Sequence, residues 1–184
     1  MAPPAEEENR QWSLRRARLR RVSQTDEGQL PTHTDSVRIA AAPARVWELV
    51  TAMERYGEWS SENTGGYWRK GADGVPGTGK VGDQFVGINR RDGVEWKAPV
   101  EIVEREEEKA FAFVTGGTEL NLVLWRYELQ PDGDGTLLTE QWIMRRPSFF
   151  LEQGGEPEVA RRTANAKESM AATLQRMKTT AEGS

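Results

Sequence analysis

The pattern of apolar and polar positions begins with a strand and a helix. Between Asp35 and Ala40, Val37 and Ile39 alternate with small or polar residues, as in a half-buried strand. Pro43 then occupies a position typical of the first turn of a helix, where its missing N–H costs nothing. The apolar residues that follow recur every three or four positions and give this helix one face to bury. They are Val46, Trp47, Leu49, Val50 and Met53.

A glycine-rich stretch at residues 65–82 precedes five segments that are rich in β-branched and aromatic residues, which favours strands. These segments cover residues 84–91, 94–104, 110–116, 120–129 and 136–146. Short turns built on Asp and Gly, at residues 91–93 and 131–135, separate two pairs of them. Such tight connections join antiparallel neighbours and are too short for parallel ones. The pattern therefore predicts an antiparallel meander.

Gly154 and Gly155 end the strand pattern, and Pro157 opens a segment in which apolar or small residues recur at helical spacing. They are Val159, Thr163, Ala166, Met170, Leu174 and Met177. We predict an α+β fold in which a curved antiparallel sheet of six or seven strands wraps around this long C-terminal helix. Because alanines make the helix thin between residues 160 and 172, we expect a cavity between helix and sheet.

Composition narrows the class of protein. A length of 184 residues with 36% hydrophobic content suits one domain, which we place at residues 35–182, after a flexible charged tail at residues 1–34. A net charge of −4 argues against binding nucleic acid through its phosphates. No apolar run is long enough to cross a membrane and no signal-peptide pattern opens the chain, so we expect a cytoplasmic protein without membrane insertion.

Residue types that serve metal binding and nucleophilic catalysis are nearly absent. The chain has no cysteine, and its one histidine, His33, is interpreted as a solvated linker residue. These counts argue against a thiolate or histidine-rich metal site and against a Ser/His/Asp triad. Residues 74–81 resemble a phosphate-binding loop, but Val81 replaces the required Ser or Thr and a strand follows where a helix is needed. We therefore predict no cofactor and no metal.

Strand parity identifies a candidate acid. One face of the last predicted strand carries Leu138, Glu140, Trp142 and Met144. Three of the four are apolar, so this face should point inward. Glu140 would then be a carboxyl group among apolar neighbours, and burial raises the pKa of such a group toward values that suit proton transfer. The alternatives are a paired structural carboxylate or a parity wrong by one residue.

Three segments carry a resemblance to a known family. They are AAPARVWELVTAMERYGEWS, VGDQFVGINRR and LVLWRYELQPDGDGTLLTEQW. In them the chain resembles the START-like (SRPBCC) proteins of the polyketide cyclase/dehydrase and lipid-transport group. The resemblance covers about residues 35–182 and implies a helix-grip fold with a deep cavity for a hydrophobic ligand.

We expect the partner to be a hydrophobic, aromatic or polyketide-like small molecule, because tryptophans and tyrosines are abundant on the predicted inner faces. The candidate ligand-binding residues are Trp59, Phe85, Trp96, Phe113, Trp125, Trp142, Thr163, Ala166 and Met170. The alternative is a cyclase, aromatase or dehydratase in which Glu140, Tyr127 or Asn89 moves a proton or polarises a carbonyl. A third hypothesis is an interaction module that uses the sheet and the arginine-rich tail. The sequence indicates no oligomeric state.

Overall fold

The computed structural model describes residues 30–71 and 73–183, so residues 1–29 of the predicted tail lie outside it. The elements are β1 Thr32–Ile39, α1 Pro43–Thr51, a 3-10 helix Met53–Glu58, β2 Asn63–Trp68, β3 Gln84–Arg91, β4 Val94–Glu106, β5 Ala110–Thr115, α2 Gly117–Leu120, β6 Val123–Asp132, β7 Gly135–Met144 and α3 Phe149–Glu182. Strand β1 thus begins three residues before the predicted start of the domain.

The seven strands form one antiparallel sheet in the order β1-β7-β6-β5-β4-β3-β2. Strands β2 to β7 are neighbours in chain order, and β1 pairs with β7 at the opposite edge from β2. This arrangement confirms the predicted meander and the α+β helix-grip fold. The sequence pattern missed β2, since Gly65 and Gly66 interrupt its alternation. It also missed α2, a single turn that ends at Leu120, the first residue of the segment predicted as a strand.

The long C-terminal helix α3 consists of two helical segments that meet at a kink. Gly155 has φ 65° and ψ −158°, a backbone conformation that is essentially limited to glycine. The main segment follows around Pro157, as predicted. The short segment before the kink was not predicted; it begins after Ser148, whose side chain caps it by accepting a hydrogen bond from the Leu151 N–H.

Buried side chains on the inner face of the sheet, the face that packs against α3, form two groups. The larger one joins α1, the 3-10 helix and most strands to the C-terminal half of α3 through residues such as Leu174 and Met177. The smaller one consists of Trp142 and Met144 of β7 with Ala166 and Met170 of α3. The inward side chains of β6 and β7 lie along both groups, as their parity predicted.

Candidate functional site

An aromatic row crosses the inner face of the sheet. Phe113 of β5 lies opposite Trp125 of β6, which lies opposite Trp142 of β7. Directly opposite side chains on antiparallel strands have Cβ atoms about 4.5–5.5 Å apart, so neighbours in the row are within contact distance. Ala166 and Met170 of α3 pack in the same cluster as Trp142. The structure thus brings five of the predicted ligand-binding residues into one region between sheet and helix.

An acid row lies beside the aromatic row, two residues away from it along each strand. Tyr127 of β6 lies opposite Glu140 of β7, which lies opposite Asp35 of β1. The Tyr127 hydroxyl donates a 2.8 Å hydrogen bond to Glu140 Oε1. Tyr56 of the 3-10 helix packs edge-on against Tyr127, with ring centroids 6.3 Å apart, and donates a 2.6 Å hydrogen bond to the Val50 carbonyl. Both tyrosines therefore act as hydrogen-bond donors.

Burial controls the ionisation of the acid row. Glu140 is 2% exposed, and burial raises its pKa to about 8, although the Tyr127 hydrogen bond opposes the rise and the charge of Asp35 adds to it. The pKa of Tyr127 is raised well above its usual value, first by burial and then by the charge of Glu140. At neutral pH Glu140 is therefore mostly a neutral carboxylic acid.

Two buried polar atoms on the inner face of β7 have no hydrogen-bond partner among the described residues. They are Glu140 Oε2 and Trp142 Nε1, in residues that are 2% and 0% exposed. Buried polar atoms in folded proteins are almost always paired. Each of these atoms therefore marks a place where the polar group of a ligand, or an ordered water, would bind.

Three other predicted residues on the inner side have contacts within the fold. Trp59 is 1% exposed, and its Nε1 donates a 3.1 Å hydrogen bond to Thr180 Oγ1 of α3. Phe85 packs against the ring of Trp68 with centroids 5.0 Å apart. Thr163 is half-buried, and its hydroxyl donates to the Val159 carbonyl one turn earlier. The candidate site therefore consists of the two rows and does not include these three residues.

Trp96 and Asn89 lie away from the two rows. They are opposite each other in β4 and β3, and Trp96 is 37% exposed because it lies near the turn that joins these strands. Asn89 is four strands from Glu140 in the sheet order and accepts a 3.2 Å hydrogen bond from Asn63 Nδ2. Of the three predicted catalytic residues, Glu140 and Tyr127 are thus in direct contact and Asn89 is not.

The sequence analysis missed two polar residues of the site. His33 is not a linker residue: it lies half-buried in β1, directly opposite Trp142. Asp35, which is also in β1, lies opposite Glu140 of β7. The signal was present, because both positions share the parity of the buried Ile39. The alternation simply extends further toward the N-terminus than the strand that was predicted.

A second unpredicted cluster joins α3 to the sheet. Glu62, just before β2, is 6% exposed, and Nη1 of Arg162 lies 2.8 Å and 2.9 Å from its two carboxylate oxygens. Nη1 of Arg91 lies 4.0 Å from the same carboxylate, while its Nη2 lies 2.6 Å from Glu168 Oε2. The cluster therefore links two positions of α3 to β3 and to the segment before β2.

Side chains between α3 and the two rows pack together away from bulk solvent, since Trp142, Ala166 and Met170 are each at most 1% exposed. A surface groove of about 550 Å³ lies elsewhere, around the β4–β5 turn, and is lined largely by charged and polar residues such as Glu106 and Lys109.

In residues 30–71 and 73–183, no three His, Asp or Glu side chains gather in a way that could hold a metal ion. None of the helices in this part of the chain is both long and apolar enough to cross a membrane.

Comparison with solved structures finds the same fold. The NMR structure of the polyketide cyc-like protein Cgl2372 from Corynebacterium glutamicum matches with a TM-score of 0.58 and 29% identity, over 82% of this chain and 90% of that one. A START superfamily protein from Mycobacterium smegmatis matches with a TM-score of 0.59 and 17% identity, over 85% and 99% of the two chains. Ara h 8.0201 matches with a TM-score of 0.58 and 12% identity, over 84% and 99%.

Comparison with curated proteins gives no match. The family model described as polyketide cyclase/dehydrase and lipid transport matches residues 31–182, which is the whole helix-grip domain. This description names proteins that act on polyketides or carry lipids, which are hydrophobic molecules. The chain therefore belongs to the polyketide cyclase/dehydrase and lipid transport family, and it shares its fold with the START superfamily protein.

Proposed function

We propose that this protein binds an aromatic or polyketide-like small molecule between the sheet and α3, against the aromatic row. The observation that carries the proposal is the pair of unpartnered polar atoms, Glu140 Oε2 and Trp142 Nε1, on the inner face of β7. A buried polar atom without a partner costs about 1–3 kcal/mol. A ligand with a polar group on a flat apolar skeleton would remove this cost and pack against the rings of Phe113, Trp125 and Trp142.

The side of α3 that faces the row suits such a ligand. Ala166 is small, and Met170 has an unbranched, adaptable side chain that can reshape itself around a guest. Because these side chains are packed and buried, a ligand would enter by displacing them and not by filling an open cleft. We expect slow binding and slow release as a result.

An NMR titration of ¹⁵N-labelled protein with flavone, and separately with oleate, tests the proposal. We expect flavone to cause saturable shifts in the Trp142 indole N–H signal and in the backbone amides of Ala166 and Met170. The Trp68 indole signal, at the far edge of the sheet, should stay unchanged and serves as an internal control. Oleate should bind more weakly because it has no ring to stack. Shifts confined to the surface groove near the β4–β5 turn would contradict the proposal.

A second candidate function is catalysis of a cyclisation or dehydration. It is favoured by the neutral Glu140 with its hydrogen bond from Tyr127, since a buried carboxylic acid can give a proton to a carbonyl oxygen while an enol carbon attacks the carbonyl carbon. The enol hydroxyl becomes a ketone as the carbon–carbon bond forms, and its proton returns to the Glu140 carboxylate. Replacing Glu140 with Gln should then lower kcat on a linear poly-β-ketone about 10²–10⁴-fold and leave flavone binding intact. Product analysis by liquid chromatography measures this loss. Unchanged turnover would remove Glu140 from the mechanism.

A further inference from the structure

The chemistry of the two unpartnered atoms identifies what they can bind. Trp142 Nε1 carries a hydrogen and has no acceptor lone pair, so it can only donate. It is fully buried in the cluster with Ala166 and Met170. A ligand atom that pairs with it must therefore be an acceptor.

The hydrogen-bonding role of Glu140 Oε2 follows from its surroundings. Oε1 already accepts the hydrogen bond from Tyr127, so in the neutral acid the proton resides on Oε2. Burial and the carboxylate of Asp35, which lies opposite Glu140 in β1, keep Glu140 neutral, while the hydrogen bond from Tyr127 opposes this. His33 lies half-buried two residues before Asp35, on the same side of β1. The buried residues of α1 and α3 include no ionisable side chain that could supply a positive charge. Glu140 Oε2 is therefore a donor as well.

We infer that the ligand bears a carbonyl oxygen that accepts hydrogen bonds from Glu140 and Trp142, so that this site selects ketone-type or quinone-type aromatic compounds over hydrocarbons of the same shape. The inference rests on the proposed function and narrows its ligand class. A pure hydrocarbon leaves both donors unpaired. An anionic ligand would face the carboxylate of Asp35, and an amine would present donors to donors.

The test compares two tricyclic probes that differ only in one carbonyl group, 9-fluorenone and fluorene. A binding site with buried polar groups rejects an analogue that leaves them unpaired more strongly than it rejects an analogue of slightly different shape. We expect the wild-type protein to bind fluorenone at least tenfold more tightly than fluorene in an NMR titration. The infrared carbonyl stretch of bound fluorenone should also move to lower frequency than in hexane, which reports the hydrogen bonds directly.

Three variants at these positions and one control variant assign the preference to these donors. Trp142→Phe and Glu140→Met each remove a donor and should reduce the fluorenone preference to about threefold or less, with a smaller infrared shift. Glu140→Gln keeps an N–H donor beside an acceptor for Tyr127, so it should retain the preference. Trp68→Phe makes the same chemical change as Trp142→Phe in β2 and should leave both readouts unchanged.

The outcomes separate the inference from the proposed function. Equal affinities for the two probes, with the Trp142 indole signal shifted by both, would overturn the carbonyl inference and leave the proposed function standing. A preference that survives in both Trp142→Phe and Glu140→Met would overturn the assignment to these residues. Absence of any saturable shift with either probe would overturn both proposals.

Discussion

Replacing Glu140 with Gln should remove most of the dependence of stability on pH between about 4.5 and 8. In the folded protein the pKa of Glu140 is raised from 4.5 to about 8, mainly by burial. In this pH range the unfolded chain has lost the proton and the folded chain still holds it, so wild-type stability falls as pH rises. Gln carries no titrating proton. As pH rises from about 4.5 to 8, the variant should therefore become progressively more stable than the wild type, and it should keep this advantage above pH 8.

Urea unfolding at pH 5 and pH 9 measures this difference in the free energy of unfolding. Each pKa unit corresponds to about 1.4 kcal/mol, so the variant should gain several kcal/mol on the wild type across this range. Glu119→Gln, an exposed position at the end of α2, is the matched control and should shift both values by less than about 0.5 kcal/mol. Parallel pH curves for Glu140→Gln and the wild type would show that Glu140 is ionised in the folded state at neutral pH.

Replacing Arg162 with Met should destabilise the protein by about 2 kcal/mol, because it leaves the carboxylate of Glu62 buried without its closest charge. The loss should be smaller than the 3–5 kcal/mol range of a fully buried pair, since Arg162 is 28% exposed and Arg91 remains 4.0 Å from the carboxylate. The free energy of unfolding in urea at pH 7 measures it.

The neighbouring residue supplies a control. Arg161 is 60% exposed and forms a surface ion pair with Glu158 on the same helix, so Arg161→Met should change the free energy of unfolding by less than about 0.5 kcal/mol. Adding Glu62→Gln to Arg162→Met removes the stranded charge and should recover part of the stability. Equal effects of Arg161→Met and Arg162→Met would show that the Glu62 contact contributes nothing beyond an ordinary surface pair.

The inner and outer faces of the strands could be predicted from sequence, because side chains alternate strictly along a strand. That alternation placed Glu140 and Trp142 inward and Tyr127 beside them in β6, and the structure agrees. The sequence pattern did not predict β2, because Gly65 and Gly66 leave no alternation to detect. The alternation along a strand predicts which side chains share a face. Which strands lie next to it depends on pairing with distant segments of the chain.

The rest of the site depends on contacts between distant parts of the chain. Asp35 meets Glu140 only because β1 pairs with β7 in one particular register, and no local pattern specifies that register. Likewise, Glu62 and Arg162 are 100 positions apart, and neither residue is unusual in its own segment. Local sequence therefore predicted the central acid but neither its charged neighbour nor the ion pair that joins α3 to the sheet.

The glycine kink in α3 has a thermodynamic consequence. Leu151, before Gly155, packs against the smaller core cluster, and Ala166, after Gly155, is part of that cluster. Because the kink interrupts the helical backbone, residues 149–154 can detach without unwinding the segment that follows. The free energy needed to remove Leu151 from this cluster is then that of losing the short segment at residues 149–154, which is below the free energy of unfolding the domain. Exchange of the closed interior with solvent is thus a local opening reaction, separate from the stability of the fold as a whole.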